Sequence, residues 1–579
     1  MRRPRSSCAA HRIAESSLPS STAFLRSPAL RTVSHCLVDT LAAHGISRVF
    51  CVPGESYLGL LDALHGRDDV DTVVCRHESG AGFMALADAR LTERPGVALV
   101  SRGPGASNAS IAVHTAQQDG VPFILIVGQV PVSCVRRDAF QEIDYGRMFG
   151  GIAKWVAEVT EPERIAETML RALRVATTGV PGPVVIAIPE DILTAPCAAA
   201  AVAPQPPVRA APAPSDLVAL GEWLRDAQRP LVIAGSGLER TGGRETLCAF
   251  AERWQVPVMV SFRRHDLFPN AHPLYAGDLG LANPERQLSV LREADLLLVL
   301  GARLSDITTQ GYTFPRLVRP EMRVVHVHAD PAVIGTHFSA DLGIGCDPVM
   351  LMNALAAPSP WAGPVRETWI GRLREERDRI RAPRHFDVDD GVPFERVVIA
   401  VGEHLESDGI VTLDAGTFGA PAYRVIPFAP PQRMLAPIAG AMGFGVPAAV
   451  AASLRHPQRQ VVCLVGDGGF LMTGSELAVA IERRLPLKVI VSENRMYGSI
   501  RIHQERDYPG RVNGTTFANP DLAAIGAAYG FAVTRIRTMD ELDRLPAALA
   551  AEGPQFILVE SSVAAVLPRR PAEPVERSQ

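Results

Sequence analysis

Short apolar runs recur along the chain, each bounded by glycine, proline or aspartate and separated from the next by a stretch of helical length. Runs that are apolar on both faces are the mark of strands in a parallel sheet covered by helices on each side. Residues 70–75, 96–101 and 123–128 read this way in the first third, 230–234 and 296–300 in the middle, and 461–465 and 487–492 near the end. The pattern predicts an α/β chain of three doubly wound parallel-sheet domains, with ligands at the carboxyl ends of the strands. The first domain is expected over residues 32–195, the second over 215–358 and the third over 393–579. An Ala/Pro-rich linker at 195–214 and a charged helical stretch at 367–381 separate them. No internal sequence repeat relates the first unit to the third. Residues 1–31 are rich in Arg, Ser and Ala, with Glu15 the one acid. They read as a disordered tail or an upstream start, with organellar targeting the less favoured alternative.

The candidate chemistry sits at two strand ends of the third unit. Val461-Val462-Cys463-Leu464-Val465 runs into Gly466-Asp467-Gly468-Gly469, where missing side chains let backbone N–H groups approach a phosphate. Asp467 adds a hard anionic oxygen, which suits Mg²⁺. A second strand ends at Asn494, 27 positions later, whose amide oxygen is another hard ligand. Two adjacent strand ends can thus hold one Mg²⁺ against a diphosphate. Glycine-rich strand-to-helix turns are also common without any ligand, so the pair is informative mainly together with the rest of the chain.

The first unit supplies that context. Arg76-His77-Glu78-Ser79-Gly80-Ala81 follows a strand and opens a helix, where an acid is favoured by the helix dipole in any case. Downstream come Gly103-Pro104-Gly105-Ala106-Ser107-Asn108 and Gly128-Gln129-Val130-Pro131. This order, together with Gly-Asp-Gly and the spaced Asn, resembles the thiamine-diphosphate-dependent enzymes, in the branch of the acetolactate synthase large subunits. The resemblance covers nearly everything beyond residue 32. It implies pyrimidine-binding, central and diphosphate-binding domains, with thiamine diphosphate and Mg²⁺ as cofactors.

By the same resemblance Glu78 hydrogen-bonds a ring nitrogen of the cofactor's aminopyrimidine and drives loss of the thiazolium C2 proton. Asp467, Asn494 and the main-chain carbonyl of Met496 coordinate the metal. Gly440-Ala441-Met442-Gly443 matches the segment that supports the bent cofactor, with Met442 as the wedge and the Gly440 carbonyl as an acceptor. Met442 also reads as ordinary core filling. Gly54, Gly416, Thr417, Gly466, Gly468, Gly469, Tyr497 and Gly498 complete the expected cofactor contacts. Phe140 and Gln141, in Asp138-Ala139-Phe140-Gln141-Glu142, resemble the segment that lines the substrate pocket; a merely packed loop is the alternative. The implied reaction is decarboxylation of a 2-oxo acid with carboligation, pyruvate being the default donor. Self-association as a homodimer or homotetramer is implied too, Glu78 of one chain meeting Met442 of another.

Composition narrows the class further. The chain has 579 residues, 47% hydrophobic and 21% charged, with a net charge of −4. These are globular values and give no reason to expect nucleic acid or an anionic membrane. Nine cysteines without a Cys-x-x-Cys pair, and no apolar run of membrane length, fit a cytoplasmic enzyme. Fifteen histidines include no adjacent pair, unlike decarboxylases of the pyruvate type.

Departures from the family pattern fall on substrate and flavin positions. Gly301-Ala302-Arg303-Leu304-Ser305-Asp306 resembles the flavin stretch of acetolactate synthases, but Ile307 and Glu190 replace the usual Arg and Lys. FAD in the central domain therefore stays an open expectation. His503 stands where a Trp favours 2-oxobutyrate as acceptor, Glu55 replaces a glycine, and Thr417-Phe418 replaces Gln-His. A decarboxylase or specialised carboligase with another substrate is the main alternative, and a non-catalytic paralogue on the same fold a further one.

Overall fold

A computed structural model describes residues 31–205, 208–355 and 365–567. The expectation for the N-terminal tail lies outside the described residues, apart from Arg31. Among these residues eighteen strands form three six-stranded parallel sheets. In the first domain these are β1 Arg48–Cys51, β2 Asp71–Val74, β3 Gly96–Ser101, β4 Phe123–Gln129, β5 Trp155–Glu158 and β6 Pro183–Pro189. Their order is β2-β1-β3-β4-β6-β5. The central domain holds β7 Pro230–Ala234, β8 Val258–Ser261, β9 Tyr275–Leu279, β10 Leu296–Leu300, β11 Arg323–Val327 and β12 Leu342–Ile344. The third holds β13 Ile410–Leu413, β14 Arg433–Leu435, β15 Val461–Gly466, β16 Lys488–Glu493, β17 Ala532–Ile536 and β18 Gln555–Glu560.

The third sheet runs β14-β13-β15-β16-β18-β17, the same relative order as the first. The kinship that no sequence repeat revealed is therefore topological. The central sheet runs β9-β8-β7-β10-β11-β12, which is the 3-2-1-4-5-6 order of dinucleotide-binding folds. Inner strands such as β4, β7 and β10 are buried along their whole length, as their apolar runs require.

The first and third domains share one apolar core. The helix Glu78–Thr92 packs on the helix Gly445–Arg455, and both present alanine and glycine at the seam. Small side chains let the backbones approach, and Phe83 and Phe444 close the gap edge to face at 5.6 Å. A charged junction joins all three domains beside this core. Arg90 donates to Glu239 at 2.7 Å, Arg264 pairs with the same carboxylate at 2.7 Å, and Arg244 and Arg433 converge on Asp266 at 3.0 and 2.8 Å. Burial works against the Asp266 charge, but Arg244, Arg433 and Arg90 overrule it and hold its carboxyl well below the usual range.

Candidate functional site

The two expected halves of the site form at carboxyl strand ends of different domains. In the third domain the Asp467 carboxylate begins the helix Asp467–Thr473 directly after β15. Its Oδ2 accepts from the backbone N–H of Asn494 at 3.1 Å and of Arg495 at 2.6 Å, and from the Asn519 amide at 3.0 Å. Burial pushes the Asp467 carboxyl up, and these donors work in the opposite direction. Asn494 Oδ1 accepts from the Met496 N–H at 3.2 Å. The loop is shaped from the far side: Tyr497 N–H donates to the Thr515 carbonyl, Phe517 N–H to that of Arg495, and the Tyr497 and Phe517 rings lie 4.9 Å apart.

The Asp467 carboxylate and the Asn494 amide oxygen are hard oxygens of the type Mg²⁺ prefers, so the donor chemistry fits the expected metal. The Asn519 Oδ1 is buried without a hydrogen-bond partner, one unmet polar valence beside this set. A diphosphate would meet backbone here because side chains are missing. A Cβ on Gly468 would lie 2.8 Å from Tyr497 Cε1 and 3.5 Å from Met442 Cε, and one on Gly466 would lie 3.1 Å from Phe418 Cε1.

Met442 thus sits against the Gly-Asp-Gly turn, partly buried. What holds it there is Asp414, at the end of β13. This fully buried carboxylate accepts from the N–H of Gly443, Gly445 and Ala415, and Gly469 packs over it. Burial pushes its carboxyl up to about 6, against those donors. Gly440 turns the chain just before Met442 with φ +66°, a conformation glycine takes without strain. Thr417 N–H donates to Ser499 Oγ at 3.0 Å, and Gly416 precedes it in the same strand-end turn. Gly498, whose Cβ would lie 3.4 Å from Thr417 Oγ1, opens the helix Gly498–Asp507, which carries the exposed His503.

In the first domain Glu78 opens its helix and accepts from the Asn108 amide at 2.9 Å. Gly105 backs the other carboxylate oxygen, 3.3 Å from where its Cβ would be. Gly54, at the end of β1, lies against Ser101 at the end of β3, and Glu55 beyond it is exposed. The loop of Phe140 and Gln141 docks through the Gln141 carbonyl, which accepts from Gly103 N–H at 2.8 Å. Glu142 folds back onto the N–H groups of Arg136 and Ala139, which leaves Phe140 78% exposed.

No hydrogen bond among the described residues joins Glu78 to the Asp467 cluster. The third-domain group that feels the Glu78 charge is Glu476, absent from the sequence expectations. Its side chain is completely buried and accepts from the N–H of Arg76 at 3.1 Å and of His77 at 2.9 Å. Gly80 leaves the space it occupies. Burial pushes Glu476 up to about 7, against those N–H groups and the Arg76 charge. Asp414, Glu476 and Asn519 were missed; an acid directly after the apolar run of β13 was the one available signal, and it pointed at Asp414.

In the central domain two neighbouring cavities of about 280 and 370 Å³ lie off the end of β10, both lined by Gln118, Arg303, Ser305 and Ile438. They therefore open between all three domains. Among the described residues no helix is long and apolar enough to cross a membrane.

Comparison with known proteins bears on the same three units. Residues 31–148 match the thiamine pyrophosphate enzyme N-terminal TPP binding domain, 217–355 the central domain and 414–559 the C-terminal TPP binding domain. A probable acetolactate synthase large subunit of Methanocaldococcus jannaschii is 31% identical over 554 residues, covering 93% of each chain. The acetolactate synthase large subunit of Parasynechococcus marenigrum is 33% identical, over 90% of this chain and 86% of its own. Isozyme 1 of Escherichia coli is 33% identical, over 83% of this chain and 86% of its own. With three domains matched in order and this similarity running almost end to end, the chain belongs to the thiamine-pyrophosphate-dependent enzymes, in the branch of the acetolactate synthase large subunits.

Proposed function

We propose that this chain is an Mg²⁺- and thiamine-diphosphate-dependent carboligase that decarboxylates a 2-oxo acid, with pyruvate the default donor, and that it works as a homodimer or homotetramer. The observation that carries the reading is the Asp467 cluster, where a buried carboxylate accepts from the backbone N–H of Asn494 at an adjacent strand end, beside glycines with no room for side chains. Bound thiamine diphosphate supplies the electron sink for loss of CO₂. Asp467, Asn494 and the Met496 carbonyl would hold the metal, and Met442, in the segment braced by Asp414, would support the cofactor. Glu78, oriented by Asn108, offers its carboxylate to the pyrimidine ring and moves a proton there.

Self-association is carried over from the family, in which the equivalent of Glu78 in one chain meets the equivalent of Met442 in another. Exposed apolar side chains near both halves support it: Leu58 and Phe140 in the first domain, Leu471, Met472 and Ile500 in the third. Burying them between chains would also exclude water from the reacting groups. The central cavities are the place for FAD, with Arg303 as the cation toward its phosphates. Visible flavin absorption of the purified protein, or its absence, decides that point.

The test of the main reading is a panel of 2-oxo acids with CO₂ and product both measured, followed by mixing of inactive Glu78→Gln and Asp467→Ala chains. A shared site predicts that re-associated mixtures regain activity, because a mixed dimer builds one site from two intact halves. Mixtures that stay dead would defeat the shared-site model. Absence of CO₂ release from every 2-oxo acid would defeat the reaction itself.

A further inference from the structure

The first helix, Val33–Ala43, and the linker that leaves the first domain run side by side. Thr32 and Pro196 form an antiparallel bridge, Cys197 N–H donates to the Arg31 carbonyl at 2.9 Å, and Val202 N–H reaches Thr40 Oγ1 at 3.1 Å. This register brings two cysteines together. Cys36, one helical turn beyond Thr32, turns its thiol toward the linker and donates to the Ala200 carbonyl at 3.6 Å. The thiol of Cys197 is in hydrogen-bond contact with that of Cys36, and both residues belong to one apolar cluster.

The setting of this pair is that of a reactive site with a sulfur in reserve. Cys197 lines a cavity of about 450 Å³ with Arg31, Glu163, Pro196, Ala198 and Ala199, while Cys36 lies behind it, completely buried. A small reagent can reach the first sulfur, and the second then stands next to the adduct. Cys51, at the end of β1, and Cys75, just past β2, differ: they belong to separate core clusters. Burial, together with the charge and hydrogen bond of Cys197, pushes the Cys36 thiol up to about 11, against the Arg31 charge. Once the Cys197 sulfur is bonded to another sulfur it carries no charge, and that part of the push disappears.

We propose that Cys36 and Cys197 are a redox-active dithiol, which low-molecular-weight disulfides oxidise to an intramolecular bond tying the first helix to the interdomain linker. The Cys197 thiolate attacks one sulfur of the incoming disulfide and releases the first thiolate. Cys36 gives up its proton, attacks the Cys197 sulfur and releases the second. Two electrons and two protons pass to the reagent, which leaves as two thiols, so no further oxidant is needed. The bond closes a loop of 161 positions (197 − 36) that contains all six strands of the first domain. Cross-linking so long a loop restricts the unfolded chain, which makes the oxidised form the more stable one. In a reducing compartment a bond of this kind is transient and follows the thiol poise.

The test equilibrates the full chain with reduced and oxidised glutathione at varied ratio, quenches with acid, and maps the cysteines by alkylation and peptide mass. Wild type should yield a peptide linked through Cys36 and Cys197 as the ratio becomes oxidising. Its first thermal midpoint should rise by roughly 5–10 °C. Cys36→Ala should trap Cys197 as a mixed disulfide with glutathione, and Cys197→Ala should leave Cys36 a thiol. Neither variant should gain the midpoint shift. The wild-type map decides the matter even where a variant fails to fold. Both cysteines remaining thiols at the most oxidising ratio would overturn the proposal, as would glutathione on Cys36 ahead of Cys197.

Discussion

Replacing Glu476 with Gln isolates the electrostatic part of the contact between the first and third domains. The amide oxygen can still accept from Arg76 and His77, so shape and the principal hydrogen bonds survive while the titrating proton is lost. Burial pushes Glu476 up to about 7 from an ordinary 4.5. A shift of that size corresponds to about 3 kcal/mol, at about 1.4 kcal/mol per pH unit. Because the folded value lies above the unfolded one, the stabilising contribution is complete below about pH 4.5 and is lost as pH rises through about 7. Wild type should therefore lose up to about 3 kcal/mol from this group between about pH 4.5 and pH 8, and Glu476→Gln should not. The variant should be the more stable chain above neutrality, with the advantage shrinking toward acid. Urea titrations across this pH range provide the assay. Three domains need not unfold in one step, so the quantity compared is the midpoint of the first transition. Parallel pH profiles for the two chains would refute the reasoning and place the Glu476 titration outside the range that matters.

Four further outcomes are expected. Gly80→Ala places a methyl group on the Glu476 carboxylate and should lower the thermal midpoint, whereas Gly80→Ala combined with Glu476→Ala should recover part of the loss; an unchanged midpoint in the single variant would show that the helices separate freely. Glu78→Gln should retain thiamine diphosphate while losing C2 deuterium exchange and turnover together; normal exchange would remove Glu78 from proton transfer. Asp467→Ala and Asn494→Ala should each release the cofactor more readily in EDTA, and retention equal to wild type would overturn the metal assignment. His503, exposed on the helix Gly498–Asp507, should give no preference for 2-oxobutyrate over pyruvate as acceptor, a prediction that a marked excess of the 2-oxobutyrate product would defeat.

Strand ends were legible in the sequence because two local signals coincide there, an unbroken apolar run and the glycines that follow it. Asp467 falls on such an end; Asn494, preceded by Ser492 and Glu493 and followed by no glycine, is legible through its spacing from Asp467, and the structure brings its backbone N–H onto that carboxylate. Glu476 carried no local signal. It looks like any polar residue in a helical stretch, and the groups that need it, the N–H of Arg76 and His77, lie some 400 positions away. Asn519 sits in a loop whose meaning depends on the bridge between residues 496 and 516, which no periodicity announces. The common strand order of the first and third sheets was equally silent, since topology constrains which positions are apolar but not which apolar residue fills each one. How the first domain docks on the third is decided by the alanine-lined seam, which neither motif announces.

The charged junction of Arg90, Glu239, Arg244, Arg264, Asp266 and Arg433 has a consequence for how the chain comes to be folded. During synthesis Arg90 emerges first, the central domain then brings both acids and two arginines, and Arg433 arrives last. Until that last strand docks, Asp266 lacks Arg433 and Arg90 lacks the Met434 and Ala436 carbonyls to which it donates. Docking is thus a late, nearly simultaneous desolvation of charges drawn from three domains, and it is favourable only when all of them are present. A chain truncated before Arg433 would leave carboxylates facing a pocket that nothing closes. Limited proteolysis should accordingly yield either the intact chain or small peptides, with no long-lived fragment of one or two domains.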